Sequence, residues 1–165
     1  MSAIADFRII ETSRLNELVD NAEIKTVKKF FSKKITDNYW DYLNANSKKL
    51  KEFGYSGYIF ANLLIFLTEN KGIDLLKSDY DEIANVISEK RQNSTIIFTH
   101  SHRQTFLDKL DSDNFNLEEL ITFNKNFSED DDPELAKAEL EGIRALQESL
   151  AQLNGDNQVV LLSVG

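Results

Sequence analysis

His100 and His102 are the only histidines in the chain, and no Cys accompanies them. Their His-x-His spacing is the first place to look for chemistry. On an extended backbone, side chains two residues apart project to the same side, so both imidazoles could reach one metal ion. A catalytic zinc takes three protein ligands, so a carboxylate would have to complete the set, and Asp108 is one of many that could. The competing reading is structural. Ser101-His102-Arg103-Gln104 has the form of a capping box, with Ser101 capping a helix and both histidines exposed near its first turn. Ligand count favours the structural reading, which calls for no metal or cofactor. A metal-dependent hydrolase or small-ligand enzyme using His100 and His102 is the alternative.

The run Glu129-Asp130-Asp131-Asp132-Pro133-Glu134 concentrates negative charge. It lacks the spaced oxygen ligands, central Gly and closing Glu of a calcium-binding EF-hand loop. One reading is a solvated loop whose carboxylates favour the positive end of the helix they precede. The other is a docking surface for a basic protein, formed by Glu129, Asp130, Asp131, Asp132 and Glu134. Residues 25–51 show the opposite bias, with eight Lys against Asp37 and Asp41, a net +6. Phe30, Phe31, Tyr39, Trp40 and Tyr42 lie among them and could suggest base stacking or a membrane surface. The simpler expectation is an amphipathic helix, Phe30 and Phe31 inward and lysines outward.

No Gly-rich phosphate loop, dinucleotide-binding fingerprint or nucleophile elbow is present. The net charge of -9 argues against nonspecific nucleic-acid binding, because phosphate repels the bulk of such a surface. Residues 126–165 hold nine Asp and Glu against Lys137 and Arg144, a net -7, so the charge is segregated along the chain. An apolar share of 41% with 28% charged residues is ordinary globular composition. The absence of Cys excludes disulfides and thiolate catalysis and points to a reducing compartment. No secretory signal is visible after Met1, and the run Tyr58–Leu67 is too short to span a bilayer. These features predict a cytoplasmic protein.

Elements follow from periodicity and end signals. Ala3–Glu11 reads as a strand, then Thr12 and Ser13 cap a short helix through Asp20. Glu23–Lys34 and Asp37–Leu50 read as helices, the first with Ile24, Val27, Phe30 and Phe31 as its stripe. Gly54 and Gly57 lead into Tyr58–Thr68, a helix apolar nearly all round and hence central. Asn70–Asp79 reads as a loop and Tyr80–Glu89 as a helix. Thr95–Thr99 is a strand, followed by helices carrying Phe106, Leu107 and Leu110, and then Asn116 to Phe123. Asn124–Asp131 reads as a loop. Asp132 and Pro133 suit the N-cap and first turn of the next helix, which Asn154-Gly155 closes with a left-handed Gly. Val159–Val164 has almost no polar alternation and must be covered on both faces. The expectation is an α+β fold, a helix-rich single domain over residues 1–165. Its small sheet has about three strands, N-terminal, central and C-terminal.

Several of these pieces resemble the YfbM-like family of uncharacterised bacterial proteins. They are Met1-Ser2-Ala3-Ile4-Ala5-Asp6-Phe7 with Leu15, Leu18 and Val19; Leu63–Thr68; Phe98-Thr99 with Phe106-Leu107; and Val159–Gly165. The resemblance implies an α+β fold and no established activity. Family members often carry a Trp and a His in the central helix, in a Trp-x-x-Leu-His-like arrangement ending Leu-Thr-Gly. Here Phe60, Leu64 and Glu69 stand at those places, so any site those residues form would be missing. Together these readings favour a non-enzymatic interaction protein, of inhibitor or immunity type, that presents its acidic surface to a basic partner.

Overall fold

The computed structural model describes residues 3–29, 32–50 and 52–165. Its centre is strand β6 (Gln158–Val164), whose five interior residues are all buried. A strand with apolar residues on both faces is stable only between two layers, and its neighbours supply them. β1 (Ala5–Glu11) pairs antiparallel with β6, from Ala5 opposite Val164 to Glu11 opposite Gln158. β5 (Ser94–Thr99) pairs antiparallel on the other side, from Ser94 opposite Val164 to Thr99 opposite Val159. β4 (Ser47–Lys49) adds a short outer strand to β1, giving the order β4-β1-β6-β5. The three expected strands are all present.

Alternation along the strands sorts side chains into two cores. Ala5, Phe7, Phe98, Val160 and Leu162 face one side, which is covered by α3 (Ile59–Lys71), α6 (Leu117–Ser128) and α7 (Pro133–Ala151). Ile10, Ile97, Val159 and Leu161 face the other, covered by α1 (Leu15–Asn21), α2 (Tyr39–Asn46) and α4 (Asp81–Arg91). The greasy helix is central, as its composition demands: Phe60, Leu63, Leu64, Phe66 and Leu67 are all buried. It approaches α7 closely at Gly142, where an added Cβ would lie 2.7 Å from Ile59 Cδ1 and 2.8 Å from Leu63 Cδ2.

Several expectations are corrected. Two strands, β2 (Lys25–Lys29) and β3 (Ser32–Thr36), pair as an antiparallel hairpin where a helix over Glu23–Lys34 was expected. A helix would set Lys25, Lys28, Lys29 and Lys33 one turn apart along one face, where like charges repel. Thr26, Val27, Ile35 and Thr36 are β-branched and favour strands. Phe30 and Phe31 lie outside the described residues. The second expected helix ends at Asn46, after which Ser47–Lys49 goes to the sheet edge. Thr12 and Ser13 sit in a 3-10 turn and make no cap; Thr12 Oγ1 donates to Asn157 O and Ser13 Oγ to Glu11 Oε2.

α6 extends to Ser128, five residues past Phe123, so most of the expected Asn124–Asp131 loop is helical. Asp132 does cap α7, its Oδ1 accepting from the Glu134 N–H at 2.9 Å. The other end departs from expectation. Gln152 closes the helix in a right-handed conformation, and among described residues only Gly72, Gln92 and Glu129 have positive φ, so Gly155 does not.

Candidate functional site

His100 and His102 occupy the first turn of α5 (His100–Phe106), not an extended segment. Two residues apart on a helix is about 200° of rotation, so the rings diverge. The capping box begins two residues before the expected Ser101: the Thr99 hydroxyl accepts from the His102 N–H, and His102 Nδ1 accepts from the Thr99 N–H at 3.1 Å. With Nδ1 an acceptor, Nε2 carries the proton and donates to Lys77 O at 2.8 Å. Both nitrogens are spent inside the fold. Burial pushes the His102 pKa down, against the raising effects of the Lys77 carbonyl and of Asp74, Asp81 and Asp79. His100 turns instead toward Asp156, with 3.2 Å between Nδ1 and Oδ1.

His102 also protects the sheet. β5 is an edge strand, and an unpaired edge invites another strand. Its outward N–H groups at Thr95 and Thr99 are taken by Ser88 Oγ and His102 Nδ1.

The acidic residues gather at the corner between α6 and α7. Glu129, Asp130, Asp131, Asp132 and Glu134 are all exposed, and the corner is tightly built. Glu129 takes a left-handed conformation (φ 58°) and donates its N–H to Asn124 O. Asp130 N also reaches Asn124 O, and Asp132 N donates to Asp130 Oδ1 at 3.0 Å. Asp131 meets Lys125 at 3.3 Å and Glu134 meets Lys137, both pairs in open solvent where such contacts contribute little.

Running back along α6, a shallow groove is lined by Glu69, Glu118, Glu119, Thr122, Phe123 and Phe127 among others. Phe123 and Phe127 stack with ring centroids 5.1 Å apart and planes 12° apart, yet Phe127 remains 48% exposed. Glu119 is engaged, capping α6 and pairing with Lys71 at 2.7 Å, whereas Glu69 and Glu118 make no ion pair among the described residues. The sequence reading stopped this helix at Phe123 and so missed Phe127, although its i+4 spacing from Phe123 was a visible signal.

Beneath the corner, Glu139 is wholly buried on α7. Asn124 Nδ2 donates to its Oε2 at 2.6 Å, while Glu139 Oε1 and Asn124 Oδ1 have no partner. Burial raises the carboxyl pKa to about 7, with the Asn124 hydrogen bond lowering it and Asp130 raising it further.

Two further depressions mark the surface. Between the segment after β4 and α7, Lys49 pairs with Glu52 and Arg144 with Glu141. At the end of β1 and β6, a cavity of about 560 Å³ is bordered by Asp6, Ser163 and Trp40. Asp6 Oδ1 there is unpartnered and the Tyr39 hydroxyl lies beside Ser163 Oγ, but these atoms are sealed from solvent. Among the described residues no group of three or more His, Asp or Glu is placed to hold a metal ion. No described helix is long and apolar enough to cross a membrane. Comparisons with family models, curated proteins and solved structures find no match to this chain.

Proposed function

We propose that the chain is a non-enzymatic interaction module that presents the α6–α7 surface to a basic protein. The observation that carries this reading is the exposed, stacked Phe127 in a groove with Glu69 and Glu118, followed in the chain by the exposed Glu129 and Asp130, none of the four in an ion pair among the described residues. Binding energy at interfaces concentrates in a few aromatic anchors, while surrounding charge steers and selects the partner. A partner segment that alternates cations with an apolar side chain matches both features. The corner is backed by two long helices and locked by the Asn124 carbonyl, so little order has to be gained on binding. An inhibitor or immunity-type role fits such a surface, since it neutralises a basic partner by covering it.

The test is titration with a fluorescent peptide of alternating Lys and Phe at 50 mM and 500 mM salt. Binding should weaken steeply with salt, and Glu129→Lys with Asp130→Lys and Phe127→Ala should each reduce it at least tenfold. A peptide that binds equally well to all three proteins would end the proposal. Membership of the YfbM-like family is a separate proposal. Its support is that Phe7, Leu15, Leu18, Leu63, Leu64, Val160 and Leu162, which carry the likeness, are core positions here.

A further inference from the structure

The hairpin β2–β3 stands at the other electrostatic extreme of the molecule. Residues 25–36 contain five Lys and no carboxylate. Lys28 and Lys33 are directly opposite in the ladder, a like-charge pair that weakens a hairpin. A two-stranded hairpin is marginal by itself, and neither strand packs substantially on another described element. Lys25, Lys28 and Lys34 are exposed and form no ion pair, hydrogen bond or ring contact among the described residues. Ile24 and Ile35 beside them are 48% and 59% exposed. The chain thus carries an unneutralised cationic arm with apolar side chains. It also carries an unneutralised anionic surface with an aromatic anchor, and among the described residues no ion pair joins the two.

We infer that the hairpin of one molecule docks on the α6–α7 surface of a second copy. This rests on the function proposed above and names its partner. Charge complementarity selects the second copy: the arm needs carboxylates and the groove needs cations with an apolar anchor, and every molecule offers both. Lysines lie on both faces of the hairpin, Lys28 on one and Lys25 and Lys34 on the other. That arrangement suits insertion between carboxylates better than lying flat on a sheet of lipid headgroups. The contact is head-to-tail, because the arm and the groove are different surfaces, so it builds chains or rings and does not stop at a symmetric dimer.

Sedimentation velocity of the full chain tests this across 10–300 μM protein. At 20 mM salt the mass should rise reversibly with concentration, and at 500 mM it should return to monomer, since exposed charge is screened within a few ångströms there. One variant reverses the arm (Lys25→Glu, Lys28→Glu, Lys34→Glu). A second reverses the surface (Glu129→Lys, Asp130→Lys, Asp131→Lys). Each alone should be monomeric at 20 mM salt, and an equimolar mixture should regain association, because the basic arm of the second variant meets the acidic surface of the first. Circular dichroism confirms that both variants are folded, and the salt dependence of the unmodified chain tests the contact independently of them. A chain monomeric under every condition overturns the inference, as does association that ignores both reversals. So does hairpin-dependent binding of anionic vesicles or duplex DNA to a chain that remains monomeric. If the Lys/Phe peptide still binds while the chain stays monomeric, the interaction surface survives and only the second copy is excluded.

Discussion

Asn124 on α6 and Glu139 on α7 meet through a single 2.6 Å hydrogen bond from the amide Nδ2 to Oε2, which leaves Asn124 Oδ1 and Glu139 Oε1 unpaired in the core. A protonated carboxyl could donate from Oε1 toward the amide oxygen and satisfy both. The carboxylate can do neither, which agrees with a pKa raised to about 7 by burial.

The sign of the pH effect follows from that shift. Between about 4.5, the ordinary value, and about 7 the folded protein holds a proton that the unfolded chain has lost. Stability therefore falls as pH rises through this window and stays low above it. Glu139→Gln keeps the acceptor for Asn124 and adds a neutral donor. At pH 8 it should raise Tm by several degrees, an effect of ~2 kcal/mol. At pH 5 the difference from the unmodified protein should nearly vanish. Thermal unfolding of both proteins across this range checks it.

His102 works in the opposite direction. Its folded pKa is depressed by burial, so the unfolded chain takes up a proton first on acidification, and this contribution to stability is lost as pH falls below about 6.5. His102→Gln preserves the acceptor for the Thr99 N–H and should cost less than His102→Ala. The alanine variant should lose ~2 kcal/mol through the missing cap and the orphaned Lys77 carbonyl. Chemical denaturation at pH 7.5 gives the ranking, and the glutamine variant should lose the acid-sensitive component.

Gly142→Ala sets helix propensity against packing. Alanine is favoured in a helix by ~1 kcal/mol, but its Cβ would enter the space of Ile59 and Leu63. Both are buried, so overpacking at ~1–3 kcal/mol should win and Tm should fall. Ile59→Val removes the closest methyl and should recover part of the loss when combined with it. A double variant no better than the sum of the two singles would refute this account.

Glu129→Gly separates stability from binding. The residue has a left-handed backbone that Gly adopts without strain, so the variant should be more stable by ~0.5–1 kcal/mol. The same change removes one of the unpaired carboxylates that follow Phe127 in the chain, so affinity for the Lys/Phe peptide should drop. Differential scanning calorimetry and the peptide titration on one preparation check both.

Three things were legible in the chain. β6 could be read because Val159–Leu162 has no polar alternation, α3 because Tyr58–Thr68 is apolar nearly all round, and the start of α7 because Asp132-Pro133 is a strong local signal. The acidic cluster at the α6–α7 corner was also legible as a charge run. The hairpin was not, since Ile24 and Val27 satisfy a helical stripe and the repulsion among stacked lysines is invisible to a hydrophobic pattern. The roles of the histidines depended on a helix starting at His100, two residues earlier than Ser101 suggested. Phe127 was hidden by a helix end that no Gly or Pro marks, because Glu129 itself adopts the left-handed turn.

The order β4-β1-β6-β5 carries a kinetic consequence. Besides the three-residue β4, the partner of β1 is β6, some 150 residues away along the chain, with Ala5 opposite Val164, and β5 pairs with that same strand. Closing so long a loop precedes any reward from pairing, which makes for slow assembly. A nascent chain that has not yet extended past residue 157 has two strands with no seat between them and the inner faces of Phe7 and Phe98 uncovered. Such a chain can collapse but cannot zip.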